Sequence, residues 1–130
     1  MEHKQLHNIL YAEDEEDIRS IAQIALEDIG SFTVKYCKNG YEVLETIKNF
    51  VPDLLLLDVM MPEMDGPTTL KELRKTDTYS SIPAIFMTAK IQTNELEEYK
   101  SIGAIDVIGK PFDPMTLAES IQKAWLKSYE

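Results

Sequence analysis

Glu13, Asp14, Asp58, Thr88 and Lys110 each stand directly behind, or within two residues of, a short apolar run. Gathered at one place, three carboxylates would raise one another's pKa unless a cation intervened. Without metal, at least one of Glu13, Asp14 and Asp58 is therefore expected to titrate above its unfolded value, and Asp14 is read as the strained acid. Two cations suit such a cluster. Mg²⁺ takes oxygen ligands in near-octahedral geometry at about 2.0–2.1 Å, using one or two carboxylates and several waters. Asp14 and Asp58 supply the carboxylates, the backbone carbonyl of Met60 a further oxygen, and Glu13 a contact through water, with Mn²⁺ as an alternative ion. Lys110 is the second cation.

The elements that would gather these groups are legible as alternating periods. Ile9–Ala12, Phe32–Cys37, Leu54–Leu57, Ile85–Met87 and Ile105–Ile108 read as strands, and helices are expected near residues 15–29, 40–50, 66–76, 93–102 and 114–128. Gly30 is placed to end the first helix. Pro67 and Pro114 are placed at first-turn positions, the latter behind an Asp113 cap. Five βα units make an α/β domain with a parallel sheet. Leu54–Leu57 and Ile85–Met87 are apolar on both faces, as central strands are, whereas the second strand alternates and the fifth carries Asp106, as edge strands do. Parallel strands all leave at one rim, where ligands bind. Only the second exit, Lys38-Asn39-Gly40, contributes neither an acid nor a hydroxyl.

Composition narrows the function. At 130 residues the chain is expected to be one domain, residues 1–130 with a core of about 8–127. A formal charge of -10, from 23 Asp and Glu against 13 Lys and Arg, disfavours nucleic acid and anionic membrane as direct partners. A lone Cys37 offers no disulfide framework and no Cys-rich zinc site; with no signal peptide or membrane-length apolar run, a cytoplasmic location is expected. Cys37 reads as a small buried hydrophobe, Glu95, Glu97 and Glu98 as a solvated helix face, and the Met60 and Met61 side chains as packing residues. His3 and His7 lie in a polar start and suggest no metal site.

Four blocks, "AEDEEDIR", "LLLLDVMMPEMDG", "FMTAK" and "GKPF", together resemble the receiver domain of two-component response regulators over about Ile9 to Leu126. The resemblance implies a flavodoxin-like (βα)5 fold with strand order 2-1-3-4-5 and helices on both faces. It implies that Asp58 is the phosphoacceptor, taking a phosphoryl group from the phosphohistidine of a sensor histidine kinase or histidine phosphotransfer protein. Such transfer is achieved by positioning and charge neutralisation. Mg²⁺, Lys110, and the Thr88 hydroxyl with the Ala89 backbone N–H would each neutralise a phosphoryl oxygen. A cis Lys110-Pro111 bond is also implied. The chain would be a signalling phosphoacceptor that assists its own phosphorylation and dephosphorylation rather than an enzyme. Its output would be docking on a downstream target protein, or onward relay of the phosphoryl group, in the manner of stand-alone regulators.

Two departures stand out. Val107 occupies the place where the family usually carries Phe or Tyr, so a ring-swing switch is not expected. Glu13 replaces the more frequent Asp. Alternatives are a degenerate receiver that binds proteins without phosphorylation, and an aspartate-nucleophile phosphatase, which would need an Asp where Met60 stands. Asp58 itself is read as an exposed carboxylate contributing little to the core.

Overall fold

The computed structural model describes residues 5–89 and 93–129; His3 lies outside the described residues. Five parallel strands form one sheet of order 2-1-3-4-5. They are β1 (Asn8–Ala12), β2 (Thr33–Cys37), β3 (Leu54–Asp58), β4 (Ala84–Thr88) and β5 (Ala104–Gly109). The helices are α1 (Glu16–Gln23), α2 (Gly40–Thr46), α3 (Gly66–Arg74), α4 (Thr93–Ser101) and α5 (Leu117–Lys127). The edge and centre assignments expected from hydrophobic patterning hold.

The core has two halves because the strands present alternate residues to opposite faces. Ile9, Tyr11, Leu54 and Leu56 pack under α1 and α5, with Leu26, Ile121 and Trp125. Leu10, Leu55, Leu57 and Phe86 pack under α2, α3 and α4, with Val43, Leu70 and Tyr99. The four leucines of β3 are fully buried, on the order of 6–12 kcal/mol of apolar transfer between them at ~1.5–3 kcal/mol each. That burial anchors the strand and carries Asp58 to the rim. Cys37 is buried, as expected. Glu97 and Glu98 are exposed, while Glu95 is half-buried and accepts from the Tyr99 hydroxyl at 3.4 Å.

Two helix ends differ from the sequence reading, and the first helix ends where expected but by another device. The first helix continues past Gln23 as a π-helical turn over Ile24–Ile29. Gly30 ends it at φ -87, and the left-handed residue is Ser31 at φ 62. Gly30 is required instead by proximity, since a Cβ there would lie 2.8 Å from Ala118 Cβ of α5 and 2.8 Å from the Leu26 carbonyl oxygen. The second helix stops at Thr46, and its last turn tightens into i→i+3 bonds such as Asn49 N–H to the Thr46 carbonyl, 3.0 Å. The fifth begins at Leu117 and not at Pro114. Asp113 spends its carboxylate on the Met115 N–H at 2.9 Å, a local turn that competes with helix and leaves Pro114 outside it. Pro67 does sit in the first turn of α3, behind an Asp65 cap that accepts from Thr68 N–H at 2.8 Å.

Candidate functional site

Each strand exit delivers its group to one rim. β1 continues its ladder one residue further, with Glu13 N–H donating to the Cys37 carbonyl at 2.9 Å; this turns the Glu13 side chain inward. Glu13 is 0% exposed and Asp58 2%, whereas Asp14 is exposed. Lys110 Nζ donates to Glu13 Oε1 at 2.9 Å and to Asp58 Oδ2 at 3.0 Å. The Lys110 N–H donates to the Thr88 carbonyl at 2.8 Å, tying the fourth and fifth exits together. Thr88 is itself buried at the end of β4. The Lys110-Pro111 peptide is cis.

One carboxylate oxygen from each of Glu13, Asp14 and Asp58 lies within 4.8 Å of the others. Across an octahedral Mg²⁺, opposing oxygens stand about 4.2 Å apart, so the all-oxygen cluster fits that ion with one member reaching it through water. Glu13 suits the indirect place, because its two oxygens already accept from Lys110 and, at 3.2 Å, from the Glu15 N–H. Asp14, Asp58, Met60, Ala89, Lys110 and Glu15 line an open cleft of about 180 Å³. The structure thus gathers Glu13, Asp14, Asp58 and Lys110 at one rim, with Met60 and Ala89 on the cleft wall and Thr88 at the adjoining end of β4.

The electrostatics differ from the expectation in cause. The carboxyls of Glu13 and Asp58 are both raised, and burial is the first reason. Hydrogen bonds from Lys110 oppose it, and repulsion between the acids is a smaller contribution. The strain therefore falls on the two buried acids, Glu13 and Asp58. Burial pulls Lys110 down, but its bonds to Glu13 and Asp58 outweigh that and its pKa is raised. Two further readings are corrected. Asp58 is buried, not exposed, because Lys110 covers it, and the Met60 side chain is not packed but 76% exposed on the cleft lip.

Sequence reasoning missed Arg19, whose Nη1 donates to the Glu13 carbonyl at 2.7 Å and so fixes the Glu13-Asp14 turn. Its place one turn into α1 was the available signal. It also missed Tyr99 of α4, whose ring lies 4.9 Å from that of Phe86. Half-buried Val107 joins the same apolar group.

A flavodoxin-like sheet with acids and a lysine converging beyond its central strands defines a receiver-type signalling domain. The chain belongs to the response regulator receiver domain family, whose model matches residues 9–122. It is 34% identical over 107 residues to response regulator Rre1 of Synechocystis, covering 82% of this chain and 46% of that protein. It is 37% identical over 121 residues to the probable transcriptional regulator ycf27 of Cyanidium caldarium, covering 93% of this chain and 47% of that one. The chain thus spans about half the length of these curated relatives. Among solved structures, the chemotaxis protein CheY4 of Vibrio cholerae superimposes with a TM-score of 0.85 at 28% identity, covering 92% of this chain and 99% of that one. Receiver domains are phosphoacceptors of two-component signalling and are not generally classed as enzymes. Among the described residues, no helix is long and apolar enough to cross a membrane.

Proposed function

We propose that Asp58 accepts a phosphoryl group from a phosphohistidine on a sensor kinase or phosphotransfer protein. The observation that carries this is the buried Asp58 carboxylate at 3.0 Å from Lys110 Nζ, on the floor of an open cleft beside two further acids. An Asp58 oxygen attacks phosphorus, the P–N bond breaks, and the imidazole leaves with the electron pair. Asp14, Asp58 and the Met60 carbonyl, with Glu13 through a water, would hold Mg²⁺, which would supply positive charge for the transferring oxygens when bound. Lys110 keeps its ammonium at the same carboxylate and turns to a phosphoryl oxygen as charge moves onto it. The Thr88 hydroxyl and the Ala89 N–H serve the remaining oxygen.

The donor histidine must come within bonding reach of Asp58, so the donor protein has to cover the cleft mouth. A larger apolar groove of about 410 Å³ adjoins that mouth, sharing Glu15, Ala89 and Lys110 with it and adding Ile18, Ile21 and Phe112. It offers the donor a seat continuous with the site. The output is a change in docking on a target protein, or relay of the phosphoryl group onward. A degenerate receiver is the weaker reading, because no acid is missing from the cluster and the lysine is in contact with two of them.

Exposure to acetyl phosphate and Mg²⁺ should raise the mass by one phosphoryl group, and peptide mapping should place it on Asp58. Asp58→Ala should abolish labelling without loss of stability, since it removes an acid whose burial opposes folding. Stoichiometric labelling of the Ala variant would move the acceptor elsewhere.

A further inference from the structure

The second strand exit contributes no acid, yet it touches the site's most strained segment. The loop after β3 runs from Val59 to Asp65 and carries Met60, a lining residue of the cleft. Its base is fixed at two points. Val59 N–H donates to the Met87 carbonyl at 2.8 Å, and Gly66 N–H returns to the Val59 carbonyl at 3.1 Å. Its tip is a three-residue turn in which Met64 N–H donates to the Pro62 carbonyl at 2.7 Å, with Glu63 at φ 69. Such a turn is rare, and a left-handed glutamate is strained. Strain of this kind persists only where surrounding structure holds it.

Asn39 is what holds it. Its Oδ1 accepts from the Glu42 N–H at 2.9 Å and caps α2, while its Nδ2 donates to Glu63 Oε2 at 3.0 Å. The neighbouring backbone is fitted to the same loop, since a Cβ on Gly40 would stand 2.7 Å from Met64 Sδ. One asparagine therefore joins a helix start, fixed to the sheet, to the strained residue three places beyond Met60. The Asn39–Glu63 bond is exposed and so offsets only part of the cost of one left-handed residue. Loss of the bridge therefore loosens the turn.

We propose that Asn39 is a positioning residue for the divalent-cation site, acting through Glu63 to hold the loop that presents the Met60 carbonyl. This rests on the Mg²⁺ reading above and assigns a role to the exit that carries no ligand of its own.

The chemistry of the pair provides the test. Asn39→Asp keeps a good helix cap but sets a carboxylate against Glu63. Combining it with Glu63→Gln restores a donor and an acceptor in exchanged places, at the parent's net charge. Mg²⁺ affinity is measured by calorimetric titration with MgCl₂, beside the metal-free unfolding midpoint. Asn39→Asp should weaken Mg²⁺ binding about tenfold, as loss of a ligand's supporting partner does. The added negative charge alone would tighten it, so the sign separates positioning from field. The double variant should return to within about twofold of the parent, the signature of direct coupling. Parent-like binding by Asn39→Asp, or a double variant as weak as the single, overturns the inference while the metal reading stands. A parent that binds no Mg²⁺ overturns the metal reading and this inference with it.

Discussion

Lys110 stabilises two carboxylates that burial would otherwise leave uncompensated, so it is a folding residue as well as a site residue. Lys110→Ala should cost on the order of 3 kcal/mol near neutral pH, the usual penalty for stranding a buried charge. With the ammonium gone, Glu13 and Asp58 rise further, and the loss should shrink as acid protonates them. Urea unfolding of parent and variant at about pH 5 and pH 8 reads the difference. The convergence of Glu13, Asp14, Asp58, Thr88 and Lys110 was legible from sequence, because any parallel sheet brings its exits to one rim. Which acid of the Glu13-Asp14 pair turns inward was not. That follows from one further ladder bond beyond the apolar run, between Glu13 N–H and the Cys37 carbonyl, and no hydrophobic pattern marks it. Arg19 was hidden for a related reason, since its partner is a backbone carbonyl that every residue possesses.

Among the elements, the strands were legible to within about a residue, because full burial and edge exposure leave opposite patterns. Helix ends were legible only in part: the first, third and fourth fall within about two residues of expectation, whereas local contacts override period at the end of the second and the start of the fifth. The Asp113 side chain takes the Met115 N–H, and close approach to Ala118 governs Gly30. Gly66 shows the same dependence where it bears on the site. A Cβ there would press into the Asp58 carbonyl oxygen and stand 3.2 Å from Val59 Cα, backbone that cannot swing aside. Gly66→Ala should therefore cost about 1–3 kcal/mol and slow acetyl-phosphate labelling of Asp58, checked by denaturant unfolding and by mass. The absence of an aromatic at Val107 is likewise balanced between elements. Tyr99 brings a ring to Phe86 from α4, so the aromatic contact joins helix to sheet instead of lying within the sheet.

For the whole molecule, the raised acids make metal-free stability depend on pH with a definite sign. Glu13 and Asp58 titrate above their ordinary values in the fold. Their contribution is fully present below the unfolded carboxyl range and is lost as pH rises through the raised folded values. Lys110, also raised, holds its contribution until the pH passes the ordinary ammonium range. In chelator, the melting temperature should thus fall from about pH 5 toward pH 8, and Glu13→Gln should flatten the fall; an unchanged slope in that variant would remove Glu13 as its source. The ion pair that opposes this penalty joins residues 97 apart in sequence, and the one to Asp58 joins residues 52 apart. During synthesis, Asp58 leaves the ribosome well before its lysine does. On the role proposed for Asp58, a nascent chain would carry the acceptor but not the pocket, and phosphoryl transfer would wait until the final strand docks. Competence to be labelled is in this sense a receipt for completed folding, issued by the last part of the sheet to arrive.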